Sequence, residues 1–480
     1  MSESIAPENI ATHVVRDAIA ALPDVIELGQ LFEKAGYELA LVGGSVRDLI
    51  LQRDAGDLDF TTSAKPEEIV KVISAWADAV WDLGMEYGTV GIRKNNQVFE
   101  ITTYRSEVYI SESRKPTVEF GTEIKEDLVR RDFTINAMAV MLPSLEFIDL
   151  FGGVTDLLKR LIRTPRAAEL SFSEDPLRMM RAARFASQLE FTPVADVIIA
   201  ATEMRERITI VSAERVRDEF TKLIMGANPI LGLEIMEGTK LSELIIPELP
   251  ALQLEIDEHH RHKDVYEHSL KVLSQAIDLE AMHEPTCEPD LVLRLAALLH
   301  DIGKPKTRRF ESGGGVSFHH HEVVGAKIAR KRLMAMRYSN EIIDSVTKLI
   351  ELHLRFHGYG DGQWTDSAVR RYVRDAGDEL IRLHKLTRAD CTTRNQRRAM
   401  MLAATYDDLE DRISKLLELE ELNSIRPDLD GQEIMQALGI KPGPLVGKAY
   451  NHMLNVRLDK GPLTKEQALA ELQTWWKAQN

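Results

Sequence analysis

The feature that most constrains this chain is Asp57-Leu58-Asp59, which follows by thirteen residues the glycine pair of Leu41-Val42-Gly43-Gly44-Ser45-Val46-Arg47-Asp48. The apolar run Leu39 to Val42 breaks at Gly43-Gly44 and gives way to Ser45-Val46-Arg47-Asp48-Leu49-Ile50, a pattern that predicts strand, tight turn and helix. Glycine lets a backbone approach a ligand closely, and a helix N-terminus offers free N–H groups to phosphate. On a strand, residues i and i+2 share a face. Asp57 and Asp59 are therefore predicted to point the same way, as needed to hold hard divalent cations such as magnesium. A phosphate cradle beside paired carboxylates is equipment for phosphoryl or nucleotidyl transfer.

GGxxRD followed by DxD resembles the first motif of the polymerase-beta-like nucleotidyltransferases, in particular the tRNA CCA-adding enzymes and their relatives, the bacterial poly(A) polymerases. Arg130-Arg131-Asp132-Phe133-Thr134-Ile135-Asn136-Ala137 is similar to that family's second motif, RRDFTxNA. The resemblance implies that Arg131, Asp132 and Asn136 contact sugar and phosphate, and that Gly44, Arg47 and Arg131 hold phosphates. Asp149 to Leu157 looks like the next motif, a structural turn into a helical part. Glu174-Asp175-Pro176-Leu177-Arg178 resembles the EDxxR motif. Here Pro176 suits the first helical position and Asp175 the N-cap. Arg178, Arg181 and Arg184 recur every three residues, which predicts one slowly drifting stripe on a helix. The resemblance makes Asp175 and Arg178 a protein template for the incoming base, with Arg181 and Arg184 supporting base or triphosphate. The chemistry suits cytosine and adenine: a guanidinium donates to their ring acceptors, and a carboxylate accepts from the exocyclic amino group that both share.

Between the first two motifs, Tyr104-Arg105 to Phe120 matches the family's flexible loop, with Glu112-Ser113 before Arg114 where Asp-Gly is usual. Glu100 alternates with apolar neighbours like a strand residue and adds a third carboxylate near the metals. Ser212 to Ile224 matches the last conserved helix of the head, with a packing role and Glu214 capping or pairing locally. These motifs run in the family's order.

A second constellation lies mid-chain. His268 sits in a helical pattern, His300-Asp301 ends the apolar run Leu291 to Leu299, and His319-His320-His321, His353 and Asp390 follow. The ordered H…HD…D pattern resembles an HD domain, a metal-dependent phosphohydrolase fold. Imidazole with carboxylate suits transition metals such as manganese, nickel or cobalt better than magnesium. The resemblance implies a metal site of His268, His300, Asp301 and Asp390, with His321 and His353 near substrate, and RNA ends bearing 2′,3′-cyclic phosphate or phosphomonoester as substrates. The other reading keeps the HD fold as a spacer.

The expected fold class is α+β: a small mixed α/β polymerase-beta-like nucleotidyltransferase head, then a mostly helical neck, an HD domain and a tail. The expected divisions are an N-terminal helical lead over 1–24, the head over 25–155, the neck over 156–260, the HD domain over 261–398 and a helical tail over 399–480. The net charge of −16 argues against a generic nucleic-acid coat but not against local basic patches. Of these, the groups around Arg370, Arg371 and Arg374 and around Arg388, Arg394, Arg397 and Arg398 are the expected RNA contacts, Arg394 and Arg397 above all. Two cysteines, Cys287 and Cys391, make no disulfide framework. The first residues lack a signal-peptide pattern, and no apolar run is long enough to span a bilayer. A cytoplasmic location, with no membrane and no obligate protein partner, is expected. The expected activity is addition of CMP, CMP and AMP to the 3′ end of tRNA from CTP and ATP, with magnesium at Asp57 and Asp59. Alternatives are a poly(A) polymerase or CC-adding enzyme of the same family, or an HD-type phosphohydrolase acting on RNA ends.

Overall fold

A computed structural model describes residues 7–53, 56–108, 117–253, 264–282, 289–312, 316–356, 359, 364–393, 395–420 and 426–479. The chain divides into two compact units, Met1–Ile245 and Ile246–Asn480. Arg394, Cys287 and the loop positions Glu112 to Pro116 lie outside the described residues.

The first unit is built on a seven-stranded sheet of order β3-β4-β5-β2-β1-β8-β9. Its strands are β1 (Leu39–Val42), β2 (Leu58–Thr62), β3 (Ala79–Asp82), β4 (Thr89–Lys94), β5 (Gln97–Thr103), β8 (Met138–Leu142) and β9 (Phe147–Asp149). A separate hairpin pairs β6 (Arg105–Val108) with β7 (Thr117–Phe120). The all-apolar β1 is buried along its whole length and takes an interior place in the sheet, between β2 and β8, as suits a strand covered on both faces. β2 and β5 run parallel, whereas β1 is antiparallel to both of its neighbours.

Alternation sorts the two faces. Phe60, Val90, Ile92, Phe99 and Ile101 point into a core shared with Val15, Leu28, Phe32 and Ile69 from the flanking helices Pro7–Ala20, Pro23–Lys34 and Pro66–Ile73. Asp59, Gly91, Glu100 and Thr102 alternate with those residues and take the opposite face. After β9 the unit turns helical. The helix Leu177–Leu189 packs against Ala213–Ile224 and Pro229–Gly238.

In the second unit, Val265–Leu279, Leu291–Leu299, Asn340–Leu352 and Leu380–Asp390 pack around one another, and His321–Ala335 lies along Asn340–Leu352. Asp264, Asp290 and Ser339 cap three of these helices through their side chains. Gly431–Leu438, Pro444–Lys460 and Lys465–Gln479 enclose a small core of Ile434, Met453 and Leu472. The divisions expected at 24/25, 155/156 and 398/399 fall inside the helices Pro23–Lys34, Gly153–Leu158 and Gln396–Glu420, so the backbone does not break there. No helix among the described residues is long and apolar enough to cross a membrane.

Candidate active site

Gly43 carries the turn between β1 and the helix Gly44–Ile50 with φ 71° and ψ −134°, a region that favours glycine. A Cβ there would lie 2.8 Å from Arg131 Nη1 and 3.8 Å from Asp59 Oδ2. At Gly44 a Cβ would meet only the Arg47 guanidinium, nearest at Nη2, 3.5 Å away. Close backbone approach therefore belongs to Gly43 rather than to Gly44, the residue expected from the motif to hold phosphate. Ser45 follows and ties the turn to the carboxylates: its Oγ accepts from the Asp59 N–H at 2.9 Å and donates to the Asp57 carbonyl at 3.4 Å.

Asp57 stands one residue before β2, exposed, so the two carboxylates are not both strand residues as expected. Asp59 is the second residue of β2 and faces Glu100 in the parallel register with β5. Burial pushes the Asp59 carboxyl above its ordinary pKa against the pull of Arg131, and Asp57 adds to the rise. Burial, Asp59 and Asp57 together raise Glu100. The third carboxylate expected from alternation is thus beside the first two. These three do not draw together as tightly as a closed cage. Among the described residues, the two groups with three ligand atoms within 4.8 Å of one another both lie in the second unit.

Asp59 and Glu100 open onto a cavity of about 600 Å³ whose walls carry Arg47, Arg105, Arg130, Arg131, Arg178, Arg181, Arg184 and Arg215 against Asp59, Glu100, Asp132 and Asp175. Eight guanidiniums against four carboxylates make a polyanion site inside an acidic protein. The arginines are held by a connected network. Arg47 forks onto Asp48 at 2.7 and 2.9 Å and donates to Asn136 Oδ1 at 2.7 Å. Asn136 Nδ2 donates to Asp132 Oδ1 at 2.9 Å, and Arg181 donates to Asp132 Oδ2 at 2.8 and 2.5 Å. Burial alone would raise Asp132, but the Arg181 charge and the bonds from Asn136 and Arg181 hold it well below the carboxylate range.

The expected basic stripe is not a solvated face. Arg178 and Arg184 are buried, and Arg181 is partly covered. Arg178 donates to Ser171 Oγ at 2.8 Å and to the Arg130 carbonyl at 2.5 Å. Glu219 lies 3.1 Å from Arg184 and 3.4 Å from Arg181. Phe185 lies beneath Arg184 at 4.3 Å, where the ring face attracts the cation. Asp175 accepts the Leu177 N–H at 3.1 Å, so it caps its helix as expected, and it also accepts from Arg215 at 2.9 Å.

Motif and spacing give no role to Ser45, Asp127, Glu219 or Arg215. Asp127 is fully buried between Arg130 and Arg131, at 2.9 and 3.0 Å. Glu219 lies on the apolar face of its helix with Val216, Phe220 and Leu223, and a carboxylate on such a face is the signal for a buried partner.

In the second unit, His268 Nε2 lies 2.9 Å from Asp390 Oδ1. His300, His321 and His353 each set Nδ1 against the carbonyl three residues earlier, at 2.8, 2.8 and 2.6 Å. Their buried Nε2 atoms turn inward, those of His300 and His321 toward Asp301 at 3.3 and 3.2 Å. A backbone carbonyl on one ring nitrogen and an inward nitrogen beside carboxylates is the arrangement that metal-binding histidines use. The atoms fall into two ligand groups, His268 with His300 and Asp390, and Asp301 with His321 and His353. Asp301 bridges the two groups: its Oδ2 lies 3.3 Å from His300 Nε2 and 3.6 Å from His268 Nε2, which brings the expected set of His268, His300, Asp301 and Asp390 together, and its Oδ1 lies 3.2 Å from His321 Nε2. Burial lowers and Asp301 with Asp390 raises His300, to about 10. Burial and the His300 charge push His353 down to about 4. His319 and His320 are exposed.

Of the remaining expected contacts, Arg397 is exposed. Arg370 is buried and donates to the Leu458 carbonyl, and Arg388 is paired with Asp407 and Glu410, so these two are structural rather than part of an open basic patch.

Residues 39–163 match the poly A polymerase head domain, and residues 265–395 match the HD domain. Between them, residues 190–252 match the probable RNA and SrmB-binding site of polymerase A. The CCA-adding enzyme of Lactobacillus helveticus is 42% identical over 227 residues, covering 46% of this chain and 56% of that protein. The CCA-adding enzyme of Levilactobacillus brevis is 44% identical over 225 residues, 46% of this chain and 55% of that one. The chain thus spans about half the length of these curated relatives. The Bacillus stearothermophilus CCA-adding enzyme in complex with CTP superposes with a TM-score of 0.69 at 23% identity over 95% of this chain and 98% of that chain. The Thermotoga maritima CCA-adding enzyme complexed with tRNA gives 0.60 at 20% identity, covering 98% of each chain. The chain therefore has the fold of these CCA-adding enzymes.

Proposed function

We propose that the protein adds CMP, CMP and AMP to the 3′ end of tRNA from CTP and ATP. The observation that carries this reading is the cavity, which joins clustered carboxylates to an excess of arginine and a base-reading pair, Asp175 and Arg178. The RNA 3′ oxygen attacks the α-phosphorus of the nucleotide, the new phosphodiester forms, and pyrophosphate leaves. Asp57 and Asp59, with Glu100 beside them, would hold magnesium, which lowers the pKa of the attacking hydroxyl and neutralises the leaving group. Arg47 and Arg131, with Gly43-Gly44 giving access, would bind the triphosphate; Asp132 and Asn136 orient the sugar. Asp175 accepts the amino group of cytosine or adenine while Arg178 donates to the ring, and Arg181 and Arg184 back the base. The cytoplasm, where tRNA is matured, is the matching compartment. Incubation with tRNA ending before CCA, with CTP and ATP supplied separately and together, followed by sequencing of the 3′ ends, tests the reading. Ends of CC with CTP alone and CCA with both are expected, and addition should vanish in Asp59→Asn. Runs of A would make the protein a poly(A) polymerase, and ends that stop at CC a CC-adding enzyme.

The inward Nε2 atoms of the second unit favour a second activity on the same chain. His268, His300, Asp301, His321, His353 and Asp390 fit a transition metal such as manganese, nickel or cobalt, which would supply Lewis acidity for hydrolysis of phosphate esters at RNA ends.

A further inference from the structure

A row of paired residues crosses the open face of the sheet: Asp59 opposes Glu100, Glu100 opposes Gly91, and Gly91 opposes Trp81. Partners in register share a face, so Trp81 lies on the side that carries the carboxylates. Gly91 sits inside β4, where glycine weakens a strand and marks a place of close approach. The indole takes that space. A Cβ on Gly91 would lie 2.3 Å from Trp81 Nε1 and 2.9 Å from Cζ2. The ring therefore leans across β4 toward Glu100, and 36% of Trp81 remains exposed. With strands about 4.8 Å apart, the ring lies about 5 Å from the Glu100 row and about 10 Å from that of Asp59. Arg93, exposed and two residues along β4, is on the same face.

We infer that Trp81 is a stacking platform for a base of the single-stranded RNA 3′ end, just behind the reacting hydroxyl, with Arg93 toward its phosphate. The inference rests on the nucleotidyl-transfer reading. An aromatic ring over a cross-strand glycine also stabilises a sheet by itself; what points to RNA is that Trp81 keeps an exposed face on the row that ends at the carboxylates. Every base has a π face, so an aromatic platform accepts an end of any sequence. That tolerance suits a primer whose last base changes after each addition. Trp81 is thus a positioning residue, and the carboxylates keep the chemistry.

The test compares Trp81→Leu, which keeps an apolar cover over Gly91, with Trp81→Phe, which keeps an aromatic face. In Trp81→Leu, KM for tRNA and Kd for a short single-stranded RNA should rise about five- to a hundredfold, the worth of one stacked base, with KM for CTP and ATP changed less than about twofold. Trp81→Phe should recover most of the loss. RNA should quench wild-type tryptophan fluorescence and quench the Leu variant less. Gly91→Ala reaches the same end independently, since its Cβ displaces the indole while Trp81 stays in the sequence. An active wild type whose RNA affinity is unchanged in Trp81→Leu and Gly91→Ala overturns the platform. A wild type that binds RNA through Trp81 but adds no nucleotide overturns the nucleotidyl-transfer reading and leaves the platform standing. A wild type that binds no RNA overturns both.

Discussion

Arg215 donates to Asp175 across 2.9 Å while the same carboxylate caps its own helix through Leu177 N–H. Asp175 is thus oriented from two sides, by the start of Leu177–Leu189 and by Ala213–Ile224. The Arg215 side chain is 55% exposed, so an incoming amino group competes with a solvated donor and not with a buried one. Asp175→Asn keeps the cap, because Asn and Asp cap about equally, but puts a donor where a base needs an acceptor. Its melting temperature should stay near wild type. Its preference for CTP and ATP over UTP and GTP should fall about ten- to a hundredfold, the worth of a good base-edge contact. Ratios of kcat/KM for the four nucleotides check this, and full selectivity in a stable variant would leave Asp175 as a cap alone.

The glycine pair divides its roles, and two substitutions separate them. Gly43→Ala forces a Cβ into a positive-φ position and against Arg131 Nη1 at 2.8 Å. It should destabilise the head by about 1–3 kcal/mol and weaken triphosphate binding, because Arg131 must move. Gly44→Ala meets only an ordinary contact with Arg47 at 3.5 Å and should be near neutral in both. Thermal melts and nucleotide titrations of the pair decide it.

Asp132 gives the stability of the head a signed pH dependence. Its carboxyl is held below its ordinary value when folded, against burial, by Arg181 and Asn136. A depressed carboxylate contributes stability that is complete above the unfolded pKa, about 4, and is lost as pH falls toward the folded one. Asp132→Asn should therefore be clearly less stable than wild type at pH 7. The gap should narrow steadily as pH drops below about 4. Melting temperatures of both proteins from pH 7 to pH 3 measure it; a constant gap would show that the ion pair carries no linkage.

Local patterns in the sequence carry the strand, glycine turn and helix at Leu39–Ile50 because each rests on neighbouring residues. The α+β class follows from the same kind of signal. What neighbours do not encode is pairing. Nothing local says that β2 lies parallel to β5, yet that register sets Asp59 against Glu100. The three-residue spacing of Arg178, Arg181 and Arg184 predicts a stripe but not what holds it: Glu219, from a helix over thirty residues away, faces Arg181 and Arg184, and Ser171 with the Arg130 carbonyl holds Arg178. The H…HD…D order names residues but not their grouping. Asp301 faces His300 and His268 with one oxygen and His321 with the other, because the end of Leu291–Leu299 meets the starts and ends of other helices.

RNA affinity should weaken with salt despite the charge of −16, because binding at basic patches releases counterions from the phosphate backbone. With Arg370 and Arg388 engaged inside the fold, Arg397 is an exposed candidate alongside Arg371, Arg374 and Arg398, together with Arg394 outside the described residues. Arg394→Ala with Arg397→Ala should lower the slope of log K against log salt by about one unit for each phosphate that is no longer neutralised. An unchanged slope would move the RNA body elsewhere.

The histidine cluster makes the sharpest separation of the two units. His300 sits with Asp301 and Asp390 and holds its proton up to about pH 10 in the absence of a cation. A metal must displace that proton, so manganese should bind more tightly as pH rises from 6 to 8 and should release protons on binding. His300→Ala with Asp301→Ala removes one residue from each ligand group. That variant should lose bound manganese, measured by calorimetry, and any hydrolysis of 2′,3′-cyclic phosphate at RNA ends, while adding nucleotides to tRNA at the wild-type rate. Loss of addition along with metal would mean that the second unit supports the head's chemistry. A wild type that binds no manganese, nickel or cobalt would leave the HD fold as a spacer, its histidines held by backbone carbonyls and by Asp301 and Asp390.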